Sequence, residues 1–308
     1  MRIVFMGTPD FATASLQALV ENNYNVVGAI TVPDKPAGRG QKLRTSSVKE
    51  YALSQNIPVL QPTNLKDESF LAELKALEAD VQVVVAFRML PEAVWNMPKH
   101  GTFNLHASLL PKYRGAAPIN WAVINGDTES GVTTFFIEHQ IDTGNIIFQE
   151  KATIKEEDNA GVLHDKLMQI GSQLVCKTID AIADGTAPNI KQEGAATQAP
   201  KIFKDTCQVD WNKDIHSIHN HIRGLSPYPA AWTTLNNGKS LKVYKSSKEE
   251  ATHQEEIGNV LTDGKTYLKV AVQGGFILLE EIQLAGKKRM AISDFLRGFQ
   301  INETLTVQ

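Results

Sequence analysis

At 308 residues, with 42% hydrophobic and 21% charged residues and a net charge of -3, the chain has the composition of an ordinary globular protein. Its length is about twice the roughly 150 residues of a typical domain, which favours two domains, each long enough to bury a core. No segment approaches the ~18 uncharged apolar residues of a membrane span, and the charge excludes a generic nucleic-acid coater.

The first run, "RIVFMG" from Arg2, is a strand that leads straight into "TPDF". It carries no greasy leader with a cleavage site, so no signal peptide and a cytoplasmic location are expected. A dinucleotide fingerprint needs three glycines at this turn and only Gly7 is present, which disfavours a nicotinamide enzyme. Thr8 as helix cap and Pro9 as first helical residue explain the turn by helix initiation. Amphipathic patterns predict helices over Asp10 to Glu21, Ser46 to Gln55 and Lys66 to Leu77. The runs "VVGAIT", "VQVVVAF", "GTFNLH" and "GVTTFFIE" predict further strands, and their Val and Ile content fits a sheet covered on both faces, as in a parallel α/β domain. A long helix from Ala160 to about Asp184 closes this half.

Within it, "VPDKPAGRGQKLRTSSVK" sets Lys35, Arg39, Lys42, Arg44 and Lys49 against the lone Asp34, and reads by itself as a solvated basic loop. After the long helix, "GTAPNIKQEGAATQAPKIFKD" has no periodicity and reads as a linker crossing a surface. Beyond it a short helix, Asp214 to Ile222, precedes the short strands "AAWTTL", "SLKVYKSS", "EIGNVLT", "YLKVAV" and "FILLEEIQL", a pattern for a small antiparallel barrel. This rear part is mildly basic: residues 201–308 hold 14 Lys or Arg against 12 Asp or Glu, leaving 17 against 22 in front. His216, His219 and His221 do not share one helical face and lack a fourth ligand, so a surface helix is favoured over a metal site. Tyr228 and Trp232 are expected to brace the barrel. Cys176 and Cys207 have no ligand-type spacing and read as packing residues.

The chemistry concentrates in "FNLHASLLPKYRGAAPINWAV". Asn104 and His106 lie two apart on a strand and therefore share a face, at the strand end where open α/β sheets place ligands. An N-x-H triplet alone is compatible with a plain structural role. Downstream, a loop carries Asp142 just before Gly144, and a carboxylate there can orient an imidazole.

"NLHASLLPKYRGAAPI" and "DTG" together resemble the folate-dependent formyltransferase family. "MGTPDFA", "PDKPAGRGQKL", "IRGLSPYPAAW" and "GKKRMAISDFLRG" narrow the resemblance to members whose acceptor is methionyl initiator tRNA, and the matches run through the chain in order. The resemblance implies a Rossmann-like, mostly parallel-sheet formyltransferase domain over residues 1–187, a linker over 188–205, and an OB-like antiparallel β-barrel tRNA-binding domain over 206–308. It implies 10-formyltetrahydrofolate as formyl donor, no metal, and catalysis by Asn104, His106 and Asp142. It assigns the folate pocket to Ser108, Leu109, Leu110 and Pro111 and to Phe87, Arg88 and Leu90, where family members often show Tyr-Gly in place of Phe87 and Arg88. It places tRNA contacts on Lys35, Arg39, Lys42 and Arg44 of the basic loop. Lys201, Arg223, Lys242, Lys245, Lys287, Lys288 and Arg289 are candidates for following phosphates along the barrel. A monomer without membrane association is expected.

Three alternatives stay open on the sequence. Another amine, such as a glycinamide ribonucleotide or an amino sugar nucleotide, can be the formyl acceptor of the same front half. The chain can be a catalytically silent RNA-binding protein with a degenerate α/β half. A nicotinamide oxidoreductase comes third.

Overall fold

Five apolar runs of the first half become neighbours in one sheet of the computed structural model, which describes residues 1–37, 42–236, 238–298 and 306–307. In chain order the elements are β1 (Arg2–Gly7), α1 (Asp10–Glu21), β2 (Asn25–Ile30), the hairpin β3 (Lys35–Ala37) and β4 (Lys42–Arg44), α2 (Ser47–Ser54), β5 (Val59–Leu60) and α3 (Glu68–Ala76). There follow β6 (Val81–Val85), α4 (Glu92–Trp95), β7 (Thr102–His106), β8 (Arg114–Gly115), α5 (Pro118–Ile124), β9 (Glu129–Phe136), β10 (Ile146–Thr153) and α6 (Ala160–Ala183). The sheet order is β10-β9-β7-β6-β1-β2-β5. It is parallel from β7 to β5, whereas β9 runs antiparallel to β7.

Burial explains the run-like strands. Ile3, Val4, Phe5 and Met6 of β1 are all fully buried, so neighbouring residues on opposite faces must both be apolar. In β9 the buried positions include hydroxyls, and those of the two threonines are bonded: Thr133 Oγ1 donates to the Ser108 carbonyl at 2.6 Å, and Thr134 Oγ1 accepts from Thr178 Oγ1 of α6 at 2.9 Å and from Phe148 N at 3.2 Å. Gly7 ends β1 because a Cβ there would lie 2.5 Å from Ala12 Cβ and 3.0 Å from the Val85 carbonyl oxygen. Its role is therefore close packing of strand and helix. The helix start differs from the sequence expectation by one residue. Pro9, extended at ψ 176°, is the cap and Asp10 the first helical residue, with no side-chain cap. The Pro9 carbonyl takes the amides of Ala12 and Thr13, and Asp10 places a negative charge in the first turn.

The chain divides into two compact units, one comprising Met1–Gly115, Ser130–Ala152 and His164–Gln198, the other Ala116–Glu129, Thr153–Leu163 and Ala199–Gln308. The first holds the sheet described above. The boundary falls within β11 (Gln198–Ala199), and the second unit continues with a 3-10 turn (Asp205–Cys207) and α7 (Ile215–Leu225). The strands β12 (Ala231–Thr234), β13 (Ser240–Glu250), β14 (Val260–Thr262), β15 (Leu268–Val272), β16 (Gly275–Leu284) and β17 (Met290–Ala291) follow, then α8 (Ile292–Gly298). The sheet order is β12-β13-β16-β15-β14, antiparallel throughout, with β17 on β16. Val307 bridges Leu235 beyond β12 and Thr306 bridges Asn259 before β14, so the two open edges are linked at one end.

Asp214 caps α7 by accepting from the amides of His216 and Ser217 at 3.0 Å. Ile215, Ile218, Ile222 and Leu225 then drive one face of α7 into the core with Val243, Val270 and Ile277. His219 lies on that face. It is 9% exposed and bonds Ser246 Oγ at 3.1 Å, so the surface-helix reading fails for this histidine while His216 is exposed. Trp232 packs against the core and donates to the Lys204 carbonyl at 2.9 Å, but Tyr228 is 83% exposed and braces nothing.

Candidate functional site

The C-terminal end of β7 carries Asn104 and His106 on one face. Leu105, between them, points the other way and meets α6 where Gly171 leaves room, since a Cβ at Gly171 would stand 2.8 Å from Leu105 Cδ2. Across the antiparallel ladder Asn104 pairs with Phe135 and His106 with Thr133, so those side chains share the face. Phe135, Leu110 and Ile146 form a small buried apolar cluster there.

His106 is 6% exposed. Its Nε2 lies 2.8 Å from the Tyr113 carbonyl oxygen, which can only accept, so Nε2 carries a proton and Nδ1 is left as the variable nitrogen. Nδ1 lies 3.9 Å from Asp142 Oδ2, close enough for ion pairing and too long for a direct hydrogen bond. The same carboxylate oxygen accepts from Gly115 N at 2.8 Å. The fold thus brings together two residues 36 positions apart in sequence. Asn104 is half-buried, and its carboxamide has no hydrogen-bond partner among the described residues. Asp142 stands at φ 55°, and Gly144 is required two residues later because a Cβ there would fall on the Phe136 carbonyl.

The loop after β7 is held by internal bonds. Ser108 is fully buried, gives its hydroxyl proton to the Lys112 carbonyl at 2.6 Å, and accepts at its own carbonyl from Thr133 Oγ1 at 2.6 Å. Leu110 donates its amide to Thr133 Oγ1 at 3.1 Å, and its carbonyl accepts from Gln149 Nε2 at 2.9 Å. Leu109 closes over Gly131, where a Cβ would lie 2.5 Å from Leu109 Cδ2, and the Pro111 carbonyl accepts from Thr197 N at 3.3 Å. At the end of β6, Phe87 and Leu90 pack on the core around Val84 and Val94. Arg88 lies 5.5 Å from the Phe87 ring centroid and donates to the carbonyls of Thr63, at 3.0 Å, and Pro62. Burial pushes its pKa below the ordinary arginine value.

The basic residues fall into different situations. Lys35 and Arg44 are exposed and face each other across the β3–β4 hairpin, and Asp34 at its base is held below the usual carboxylate range by hydrogen bonds from Lys49 at 2.5 Å and Gln61 at 2.8 Å. Arg39 lies outside the described residues, and of Lys42 only the backbone, within β4, is described. Lys201 is exposed, with Nζ 5.6 Å from the Phe203 ring. Lys287 and Lys288 are exposed in the turn after β16. Arg223 is half-buried: Nε donates to Asn220 Oδ1 at 2.8 Å and Nη1 to the Asp158 carbonyl at 2.8 Å. Lys242 reaches the Pro229 carbonyl at 3.3 Å, Lys245 pairs with Glu280 at 2.8 Å, and Arg289 pairs with Glu281 over the Tyr244 ring.

Sequence reasoning missed Thr133, Gln149, Arg114 and Gln192, which organise the loops around His106. Arg114 lies inside a quoted motif, whereas Gln192 sits in the aperiodic stretch and gave no signal. Among the described residues, no group of three or more His, Cys, Asp or Glu could hold a metal ion, and no helix is long and apolar enough to cross a membrane.

The family model described as formyl transferase matches residues 1–179, and the model of its C-terminal domain matches residues 201–300. A methionyl-tRNA formyltransferase of Parabacteroides distasonis is 60% identical over 97% of this chain and 96% of its own length. One of Bacteroides thetaiotaomicron is 57% identical over 98% of this chain and 97% of its own. Among solved structures, the N-formyltransferase of Helicobacter canadensis, in complex with folinic acid and dTDP-3-aminofucose, shares the fold at a TM-score of 0.68 with 24% identity, covering 94% of this chain and 99% of that one.

Proposed function

Since the chain belongs to the formyl transferase family, we propose that it transfers the formyl group of 10-formyltetrahydrofolate to the free amino group of methionyl initiator tRNA, supplying formylmethionyl-tRNA for translation initiation. The observation that carries this reading is similarity to methionyl-tRNA formyltransferases through the length of the chain, the second unit included. The enzyme works as a monomer in the cytoplasm.

The reacting amine is partly neutral near pH 7, since an α-amino group titrates at about 7.7–8.0. Its nitrogen attacks the formyl carbon, a C–N bond forms, and the carbonyl electron pair moves to oxygen. The unpartnered Asn104 carboxamide donates an N–H to that oxyanion. Because Tyr113 holds the proton on Nε2, Nδ1 of His106 is the nitrogen that takes the amine proton, and the Asp142 carboxylate stabilises the resulting imidazolium. The same proton passes to the folate nitrogen as its bond to carbon breaks and tetrahydrofolate leaves. No metal and no Ser or Cys nucleophile is needed. Ser108, Leu109, Leu110 and Pro111, together with Phe87, Arg88 and Leu90, border the pterin, with the apolar side chains among them suited to a flat heterocycle.

In the first unit Lys35, Arg39, Lys42 and Arg44 of the β3–β4 segment contact phosphates and bases of the acceptor stem, and in the second unit Lys201, Lys287 and Lys288 contact phosphates. Arg223, assigned to the tRNA by the sequence, has its Nε and Nη1 turned to Asn220 and the Asp158 carbonyl and is left out of this contact set. Incubating the purified chain with formyl donor and methionyl initiator or elongator tRNA tests the reading, with an amino sugar nucleotide as rival acceptor. Formyl on initiator tRNA is expected; its transfer to the sugar alone, or to nothing, overturns the assignment. Arg39→Ala should weaken use of the tRNA and leave folate affinity unchanged, and equal loss of both would remove the hairpin from the interface.

A further inference from the structure

The aperiodic stretch after α6 holds one side chain against the loop that carries Asp142. Gln192 Nε2 donates to the Asp142 carbonyl at 2.9 Å and to the Gly144 carbonyl at 2.8 Å. Its Oε1 accepts from Arg114 Nε at 3.2 Å and Arg114 Nη2 at 2.6 Å. The orientation of the amide follows from its neighbours: two carbonyls face only donors, and a guanidinium has no acceptor to offer. We propose that Gln192, fixed by Arg114, is a positioning residue that holds Asp142 in register with His106, a proposal that rests on the site reading given above.

The geometry forms a closed ring. Gly115, next to Arg114 in β8, donates its amide to Asp142 Oδ2 at 2.8 Å, so one two-residue strand grips the loop at the carboxylate and, through Gln192, at the backbone. That strand is fixed in turn: Arg114 N donates to the Thr197 carbonyl at 2.9 Å and Tyr113 N to Thr197 Oγ1 at 2.8 Å. At the other end of the stretch Ile190 and Ile146 exchange both backbone bonds, at 2.7 and 2.9 Å. Segment 190–197 therefore straps the His106 loop to the Asp142 loop. The strap is needed because the Asp142 loop has little else to hold it. Ile141 before it is 62% exposed, and Asp142 itself stands at φ 55°, a region that L residues rarely adopt unless their surroundings impose it. No other side chain can replace the amide. Glu lacks the donors, and Asn is a methylene too short to reach from Arg114 to both carbonyls.

The test is steady-state formylation by the full chain carrying Gln192→Ala, Gln192→Glu and Asp142→Asn, alone and with Gln192→Ala added to Asp142→Asn. Gln192→Glu keeps an acceptor for Arg114 and loses both donors to the loop. Both Gln192 variants should lower kcat at least about tenfold, leave KM for folate and tRNA within about twofold, and displace the pH–rate profile, because misplacing a reacting group by about 1 Å can cost ~100-fold. Added to Asp142→Asn, Gln192→Ala should cause no further loss. A wild-type kcat for Gln192→Glu, or the same fold-loss from Gln192→Ala with and without Asp142, overturns the positioning role. Wild-type kcat for Asp142→Asn alone would instead overturn the reading of the site itself, and this inference with it.

Discussion

Two nearly buried imidazoles, one in each unit, have almost the same exposure and opposite surroundings. His106, 6% exposed, has a carbonyl on one nitrogen and a carboxylate 3.9 Å from the other. His219, 9% exposed, has the Ser246 hydroxyl on Nδ1 and lies near the cations Lys248 and Arg223. Burial and those cations push its pKa down to about 4, so His219 stays neutral and acts as a core residue. Burial does not mark a chemical site by itself. What distinguishes the two is the balance of groups around each ring: at His219 burial, Lys248 and Arg223 outweigh Glu156 and Glu280, whereas Nδ1 of His106 faces the Asp142 carboxylate at 3.9 Å.

The largest expected effect breaks the pair apart by kinetics. His106→Gln should lower kcat by about 10²–10⁴, the range for loss of a positioned acid or base, while His219→Gln should leave kcat within about twofold. Asn104→Ala should raise the barrier by ~3 kcal/mol, since it removes the one free donor on the same strand face. Formylation rates at saturating substrate decide it. Equal losses from the two histidine variants would mean that the difference in surroundings carries no chemical meaning.

The next effect reads the same contrast in stability. In the unfolded chain His219 titrates near its ordinary 6.5, and in the folded chain near 4. The unfolded state therefore takes up a proton first as pH falls, so the native state loses stability from about pH 6.5 down to about pH 4 and retains it fully above that window. The loss has an upper bound of about 3 kcal/mol, reduced by whatever water reaches the ring. Urea unfolding between pH 7 and pH 4.5 should show a shallower decline for His219→Gln than for the unaltered chain. Parallel curves would place the titration of His219 elsewhere.

Much of this was readable along the chain, for reasons that also set the limits. The strand β1 announces itself because a strand buried on both faces must be apolar at consecutive positions, and β7 by the alternation of Phe103 and Leu105 with polar neighbours. β10 does not, since Gln149, Glu150 and Lys151 interrupt its second half, where the strand is exposed. The burial of His219 was available in principle: it lies at i+4 from Ile215 and i-3 from Ile222, on the apolar face of α7. Tyr228 could not be placed, because nothing in "SPYP" tells a rigid turn that exposes its aromatic ring from one that buries it. For the site, Asn104 and His106 follow from strand alternation, but the approach of Asp142 depends on β9 pairing beside β7 and on a strap from residues 190–197. Side chains such as Gln192 that bond to backbone carbonyls leave no periodic trace.

The smallest effect extends the contrast from imidazoles to cations. Arg289 is paired with Glu281 and covers the Tyr244 ring at 4.3 Å, whereas Lys287 and Lys288, in the same turn, are exposed and make no ion pair among the described residues. If open partners mark function here too, only the lysines meet RNA phosphates. Each phosphate contact contributes about 0.9 to the slope of log affinity against log salt on a duplex, by release of condensed counterions. Lys287→Ala and Lys288→Ala should each flatten that slope by up to this amount. Arg289→Ala should leave the slope unchanged and cost the fold at most ~1 kcal/mol, the value of an exposed ion pair. The opposite pattern, with Arg289 setting the slope, would show that its pairing with Glu281 opens when tRNA arrives, and that ion pairs in the free protein do not predict which cations bind.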